Sequence, residues 1–150
     1  MSKARRRVAL GAAAALAVAT VGAYEGLRTY TYRDAVGIPT YCFGETEGAV
    51  MGRTYTVAQC KELLGNRLEE FNAMVDSCVH VPMSVKRRVA SVSLAYNIGG
   101  GAFCKSTYVK RLNAGDPKAC DSILAYNRAG GKVLAGLTRR RQEERTLCYQ

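Results

Sequence analysis

The sequence predicts an α+β fold that is mostly helical, with a small β-hairpin region near the N-terminus. Three observations predict it: a charge-free apolar run near the start, a following stretch rich in Thr, Tyr and Gly, and several later stretches with helical periodicity. With 150 residues, of which 48% are hydrophobic, the chain is sized for one globular domain with its own core.

The first element is an apolar segment from Val8 to Ala23 that carries no charge and directly follows Arg5 to Arg7. A basic region before an apolar stretch has the form of an export signal. Its 16 residues fall short of the roughly 20 that cross about 30 Å of hydrocarbon, and they are rich in alanine. We therefore predict a weak, reversible membrane anchor over residues 1–23 and a globular domain over residues 24–150. A cleaved signal peptide and an Ala-rich core helix are the alternatives.

Two features place the globular domain outside the cytoplasm. Arginines before the apolar segment predict, by the positive-inside rule, a cytoplasmic N-terminus and a periplasmic body. An even number of cysteines, with no C-x-x-C pair, favours disulfides over buried reduced thiols, although six cysteines allow 15 pairings and the sequence does not choose among them. These cysteines are Cys42, Cys60, Cys78, Cys104, Cys120 and Cys148.

After the apolar segment, the stretch from Tyr24 to Thr56 predicts short strands and turns, because glycines and a proline interrupt it and helical periodicity is weak. Thr56 and Gln59 then form a capping box that opens a helix continuing to Cys78. Further helices are predicted from N-cap residues and glycine stops. They run from Ser84 to Ile98, from Ser106 to near Gly115, from Asp116-Pro117 to before Gly130-Gly131, and from Leu137 to Leu147.

The net charge of +10 suits a polyanionic partner, either a nucleic acid or a bacterial cell wall. No helix-turn-helix, zinc-finger or RNA-binding signature is present, so we expect no nucleic-acid partner. The charged run from Arg139 to Arg145 predicts a solvated, ion-paired helix face. His80 is the only histidine, and a structural role for it is favoured over Ser-His-Asp chemistry.

Two carboxyl groups in different surroundings are what hydrolysis of a glycosidic bond requires, one to protonate the leaving oxygen and one to act on the opposite side of the sugar. Glu25 lies where the apolar helix ends, Asp34 follows nine positions later in the strand-forming stretch, and Thr40 follows six after that. Each residue alone also has a structural interpretation, as a helix-end charge, a turn former and a strand residue. Their spacing is weak evidence by itself and predicts a catalytic constellation only together with the residues that flank it.

The segment YEGLRTYTYRDAVGIPTYCFGET around these residues resembles the glutamate helix and hairpin of the phage-type lysozymes, glycoside hydrolase family 24. With the N-terminal segment, the chain most resembles the signal-arrest-release endolysins of lambdoid phages. The resemblance covers nearly everything after Tyr24. Further matches are SLAYNIGGGAFCKST at Ser93 to Thr107, LNAGD at Leu112 to Asp116, and GLTRRRQEERTLC at Gly136 to Cys148.

The resemblance implies a lysozyme-like fold and an inverting muramidase that acts on peptidoglycan, at the β-1,4 bond between N-acetylmuramic acid and N-acetylglucosamine, and lyses the host cell. Glu25 would be the general acid, Asp34 would orient or activate the attacking water, and Thr40 would help to position it. Asn97 and Gly99 would line the glycan cleft, although a helix stop with an amide cap explains them equally well. No cofactor or metal would be required.

Glu25 lies only two residues beyond Ala23, and this closeness suggests how the two parts work together. A segment held in the bilayer would keep Glu25 at the membrane surface, away from Asp34 and Thr40. We therefore expect an inactive form tethered to the host inner membrane and an active monomer in the periplasm after release. The segment contains no cysteine, so the expected switch is purely conformational.

Two alternatives remain at this stage. A lytic transglycosylase needs the acid but not the water-positioning Asp34 and Thr40, and it would leave a 1,6-anhydro end instead of a reducing end. A non-catalytic, membrane-anchored lysis regulator would keep its effect after Glu25→Gln and Asp34→Asn.

Overall fold

The secondary structure follows the predicted order of a helix, a hairpin and then several helices. A computed structural model describes residues 3–150, with side chains described from residue 13 onward. The α+β, mostly helical prediction is confirmed. The elements are α1 (Lys3–Glu25), β1 (Arg28–Arg33), β2 (Pro39–Cys42), α2 (Val57–Cys78), α3 (Val85–Ile98), α4 (Gly100–Cys104), α5 (Thr107–Asn113), a 3-10 helix (Ala119–Ala125), β3 (Arg128–Ala129), β4 (Lys132–Val133) and α6 (Ala135–Cys148).

Helix α1 contains the segment that the sequence predicts as an anchor, and here it packs against α2 and α3. Ala17 and Val21 are buried in the core. Gly22 allows the helix to approach Phe43, because a Cβ on Gly22 would lie 3.2 Å from the ring. None of the described helices is long and apolar enough to cross a membrane. The prediction of membrane orientation depends on Arg5 to Arg7, which lie outside the described side chains.

The core lies where α1, α2 and α3 meet, with α4 packed on α2 and α3, α6 on α3, and α5 on α4 and the 3-10 helix. The predicted capping box is present, since the Thr56 side chain accepts from the Gln59 N–H and Gln59 accepts from the Thr56 N–H. Ser84 and Ser106 cap α3 and α5 as predicted. The large buried side chains include Leu64, Val75, Val89, Leu94, Phe103, Tyr108 and Ile123.

The region after α5 differs from the prediction of one helix ending before Gly130. Asp116 accepts the Lys118 N–H as an N-terminal cap would, but the helix that follows is a short 3-10 helix. A small antiparallel hairpin, β3 and β4, comes next. Gly130 and Gly131 both have positive φ, 57° and 76°, which is the requirement of a tight hairpin turn. The glycine pair therefore forms the turn of this hairpin and does not end a helix.

All six cysteines form disulfides, which confirms that prediction and settles the pairing that the sequence left open. Cys42–Cys60 ties β2 to α2, Cys78–Cys104 ties the end of α2 to α4, and Cys120–Cys148 ties the 3-10 helix to the end of α6.

Candidate active site

Glu25 is the last residue of α1, and its carboxylate is held from the far end of the chain. Gly26 has a φ of 72° and ends the helix directly after it. The Arg140 Nη1 donates to Glu25 Oε1 at 2.9 Å, and the Glu25 side chain is 26% exposed. A carboxylate at a helix C-terminus is disfavoured by the helix dipole, so a nearby cation offsets that cost. The ion pair therefore fixes the predicted acid where solvent and a ligand can reach it.

Arg140 itself is almost fully enclosed, with 7% of its side chain exposed. Its guanidinium lies over the Tyr24 ring, 4.6 Å from the ring centre. It also donates to the Ser93 carbonyl at 3.4 Å and to Glu144 at 3.3 Å. Arg140 thus connects the end of α1 to both α3 and α6.

Glu144 is a fully buried carboxyl that two arginines share. Its Oε1 accepts from Ser93 at 2.6 Å and from Arg141 Nη2 at 2.9 Å, and its Oε2 lies 2.7 Å from Arg141 Nε. Burial raises the pKa of Glu144, while Arg141, Ser93 and Arg140 act in the opposite direction. A buried charge persists only with such partners, so we conclude that this network supports the site.

The expectation of a solvated charged face on α6 is therefore wrong for Arg140, Arg141 and Glu144. These side chains occupy the buried stripe of the helix, in register with Leu137 and Cys148, at spacings of three and four residues. That spacing is visible in the sequence, and it could have revealed the buried network. Polar partners on α1 and α3 explain why charged residues are tolerated there.

Asp34 and Thr40 are brought together by the backbone of Ile38, in the turn of the β1–β2 hairpin. Asp34 Oδ1 accepts the N–H of Val36 at 3.0 Å and of Ile38 at 2.8 Å. The Thr40 hydroxyl, which is buried, donates to the Ile38 carbonyl at 2.9 Å. Gly37, with a φ of 84°, allows the turn that makes these contacts possible. The other Asp34 oxygen has no hydrogen bond to a described residue.

The three predicted residues are thus held by contacts in two different places. Glu25 is paired with Arg140 of α6, while in the hairpin Asp34 accepts the Ile38 N–H and Thr40 donates to the Ile38 carbonyl. The hairpin begins three residues after Glu25, so the acid and the pair are joined by a short, well-structured connection.

Asn97 and Gly99 lie at the end of α3. The Asn97 side chain is exposed, and its Oδ1 accepts from Arg141 Nη1 at 3.0 Å. Gly99 ends α3 with a φ of 89°, and its N–H donates to Ala95. Both residues therefore have a structural function, and the arginine that binds Asn97 belongs to the network around Glu144.

Sequence reasoning missed Tyr96, which lies one turn beyond Ser93 on α3. Its ring packs edge-to-face on Phe71 at 5.2 Å between centroids. Burial raises the pKa of Tyr96 to about 12, and the negative charges of Glu25 and Glu45 act in the same direction. No local sequence signal distinguishes this tyrosine from a core residue.

No group of three or more His, Cys, Asp or Glu side chains suited to a metal ion occurs in the part of the chain that the structure describes.

Comparison with known proteins gives consistent matches over most of the chain. The phage lysozyme family matches residues 22–144. A SAR-endolysin of Bacteriophage PS119 is 40% identical over 126 residues, which cover 83% of this chain and 75% of that protein. A crystal structure of a P22 lysozyme mutant superposes with a TM-score of 0.82 at 33% identity, covering 89% of this chain and 95% of the other.

The P1 phage endolysin Lyz has been solved in two forms that differ in their likeness to this fold. The active form gives a TM-score of 0.78 at 23% identity and covers 88% of this chain and 82% of its own. The secreted inactive form gives 0.52 at 21% identity and covers 67% and 74%. At these identities the comparison concerns the fold alone, and the fold described here is closer to the active form.

Proposed function

This chain belongs to the phage lysozyme family, and from that premise we propose that Glu25, Asp34 and Thr40 are the catalytic residues of its glycosidase activity. The protein is an endolysin, a muramidase that causes host cell lysis. Its substrate is the β-1,4 bond between N-acetylmuramic acid and N-acetylglucosamine in peptidoglycan. One observation supports the different roles: Glu25 is hydrogen-bonded to Arg140, whereas Asp34 and Thr40 are both hydrogen-bonded to the backbone of Ile38.

Glu25 acts as the general acid that protonates the leaving oxygen. After the transfer the carboxylate is negative, and Arg140 at 2.9 Å stabilises that charge. Arg140 is in turn kept in place by Glu144 and Ser93, so it does not need to reorganise during the reaction.

Asp34 and Thr40 orient the attacking water. One Asp34 oxygen is occupied by two backbone N–H groups, which leaves the other oxygen to accept a hydrogen from water. The Thr40 hydroxyl donates to Ile38, so its lone pairs accept the second hydrogen. The water oxygen then has a lone pair to direct at the anomeric carbon. Attack by water opposite the leaving group, with the proton of the water passing to the Asp34 carboxylate, inverts the configuration, whereas a transglycosylase would not use this pair. Asn97 and Gly99 contact the glycan beside it.

Digestion of purified peptidoglycan tests these roles directly. Full-length protein is expected to leave reducing muramic acid ends, identified by mass spectrometry, and Glu25→Gln and Asp34→Asn are expected to lose at least about 100-fold in rate. The isosteric Glu62→Gln on the exposed side of α2 serves as the control. Products with 1,6-anhydro ends, or undiminished cutting by Glu25→Gln, would contradict the proposal.

Residues 1–23 form a signal-anchor segment that precedes the catalytic domain of residues 24–150. The tethered protein has a cytoplasmic N-terminus and a periplasmic body, and release delivers it as a monomer to the periplasm. The support is the position of Glu25 at the end of α1, whose Ala17 and Val21 are buried in the body. A helix cannot occupy the bilayer and this core at once, so the tethered form lacks the Glu25–Arg140 contact and is inactive.

The packing of α1 fits such a reversible arrangement. Open clefts of about 300 Å³ and about 830 Å³ flank the helix, and Ala14 lines both of them. The small side chains there bury little apolar surface, which limits the free energy gained on docking. The helix therefore packs well enough to position Glu25, yet weakly enough to lie in the bilayer before release.

A further inference from the structure

Arg140 contacts both of the last two residues of α1. Its Nη1 donates to Glu25 Oε1 at 2.9 Å, and its guanidinium carbon lies over the Tyr24 ring, 4.6 Å from the ring centre. Its Nε donates to Glu144 and its Nη2 to the Ser93 carbonyl. The edges of the guanidinium are thus bonded to three helices, and Tyr24 packs on one of its faces.

The Tyr24 ring is itself held at its far end. Its hydroxyl donates to Glu143 Oε2, a carboxylate of α6 that lies 119 positions away in the sequence. Burial raises the pKa of Tyr24, and the hydrogen bond to Glu143 and the negative charges of Glu143 and Glu144 act in the same direction. The hydroxyl therefore stays protonated at neutral pH and remains a donor. Tyr24 thus contacts α6 twice, at Arg140 through its ring and at Glu143 through its hydroxyl.

An open cleft of about 500 Å³ lies beside these contacts. Tyr24 and Arg140 line it together with Leu134 and Leu137. Only 7% of the Arg140 side chain is exposed, although the residue borders the cleft. The Tyr24 ring covers one face of the guanidinium and keeps the solvent of the cleft away from that face. Ion pairs are stronger where water is excluded, so the ring strengthens the contact between Arg140 and Glu25.

We propose that Tyr24 is a positioning residue for the hydrolysis, which holds the Arg140 guanidinium against Glu25 and is itself held by Glu143. The inference rests on the proposed function, because it takes Glu25 as the general acid. Tyr24 makes no contact with the reacting atoms and acts through Arg140. Tyr24 and Glu25 are consecutive residues of α1, whereas Arg140 and Glu143 both belong to α6. Docking of α1 therefore delivers the acid together with the residue that orients its cation.

The effect of Tyr24 falls on the chemical step. Once Glu25 has given up its proton, its carboxylate is negative, and Arg140 must already be in place to stabilise that charge. A cation over an aromatic ring gains an electrostatic contact that an aliphatic side chain cannot supply. Without the ring, Arg140 is held less firmly and is better hydrated. The loss therefore lowers kcat, whereas KM stays unchanged.

The test measures kcat and KM of released full-length protein on soluble glycan strands. Tyr24→Leu removes the ring and is expected to lower kcat about tenfold, the effect of one lost cation–π contact in a desolvated position. Tyr24→Phe keeps the ring and loses only the hydrogen bond to Glu143, so its kcat is expected to fall no more than about threefold. Arg140→Lys removes the planar guanidinium on which the ring packs, so adding Tyr24→Leu to it is expected to lower kcat less than about twofold further.

Tyr149→Leu is the matched control, because Tyr149 makes the same pair of contacts at the C-terminal end of α6. Its hydroxyl donates to Asp121 at 2.7 Å, and Arg145 lies over its ring at 5.4 Å. None of these contacts involves Arg140. Tyr149→Leu is expected to keep the wild-type kcat when the rate is referred to the folded fraction, which near-UV circular dichroism measures.

An unchanged kcat for Tyr24→Leu, a loss confined to KM, or an equal loss by Tyr149→Leu overturns the inference. A full tenfold loss by Tyr24→Leu in the Arg140→Lys background also overturns it, because Tyr24 would then act independently of Arg140. Should Tyr24→Leu fail to fold, Tyr24→Phe and Glu143→Ala replace it. Each is expected to lower kcat up to about threefold, with no further loss in the double variant, and a wild-type kcat in both overturns the inference.

Glu25→Gln in the same assay separates the two levels of the argument. Undiminished cutting by Glu25→Gln means that the proposed function fails. Loss of cutting by Glu25→Gln together with a wild-type kcat for Tyr24→Leu means that only the positioning role of Tyr24 fails.

Discussion

Glu144→Gln tests the buried network behind the proposed acid. The substitution keeps the size and one oxygen of the side chain but removes the charge that Arg140 and Arg141 share. All three side chains are nearly or fully enclosed, at 7%, 0% and 0% exposure for Arg140, Arg141 and Glu144. Removing one partner of a buried ion pair costs about 3–5 kcal/mol, since the remaining charge stays buried and unpaired. We expect a loss of stability in that range.

Urea unfolding with the disulfides intact measures the effect. With a denaturant slope of about 1–3 kcal/mol/M, the expected loss lowers the unfolding midpoint by at least about 1 M. Activity of the folded fraction should also fall, because Arg140 loses its charged partner on α6 and holds Glu25 less well. Glu62→Gln, the same change at an exposed position of α2, is expected to stay within about 0.5 kcal/mol of the wild type.

A midpoint for Glu144→Gln that matches the Glu62→Gln control would refute this reasoning. It would mean that the two arginines need no shared carboxylate. A variant that is destabilised as expected but cuts peptidoglycan at the wild-type rate would keep the stability argument and remove the link from Glu144 to Glu25.

Further predictions concern α2 and the C-terminal region. Gly65→Ala replaces a glycine inside α2, and the alanine Cβ would lie 3.7 Å from Val18, an ordinary contact. Because alanine favours the helix over glycine, the variant should raise the free energy of unfolding by about 1 kcal/mol in urea titrations. A decrease would contradict the packing of α1 on α2. Asp121 accepts hydrogen bonds from Tyr149 and Arg145, which lower its pKa. The stabilisation from Asp121 is therefore present above its unfolded pKa of about 3.9 and is lost as the pH falls through the lower folded pKa. Asp121→Asn should lower Tm at pH 6 but much less at pH 2, and an equal decrease at both pH values would argue against this linkage.

Local signals in the sequence predicted most of the helix boundaries. The capping box of Thr56 with Gln59 and the cap at Ser84 bind only neighbouring backbone groups, so the local sequence is enough to predict them. Gly99 ends α3 for an equally local reason, because glycine readily adopts the positive φ found there. The short hairpin at Gly130 was missed because a glycine pair both stops helices and forms tight turns. Only the pairing of Arg128 with Val133 distinguishes the two outcomes.

The site was predictable where its residues are close in sequence, and it was not where they are distant. Asp34 and Thr40 share one turn, so their spacing already places them together. Arg140 reaches Glu25 across 115 positions, and its burial depends on the packing of α6 against α1 and α3. From the local sequence alone, the charged run from Arg139 to Arg145 therefore looked like a solvated helix face. The environment of Tyr96 was missed for the same reason, because its ring packs on Phe71, which another helix contributes.

The most direct test of the central claim, that docking of α1 delivers Glu25 to its place, compares full-length protein held in membrane vesicles with the same protein after release. Both are assayed on purified peptidoglycan at equal concentration, with accessible substrate in each case. The released protein is expected to cut peptidoglycan, and the membrane-held protein is expected to show at most background cutting. Equal specific activity of the two forms would contradict it.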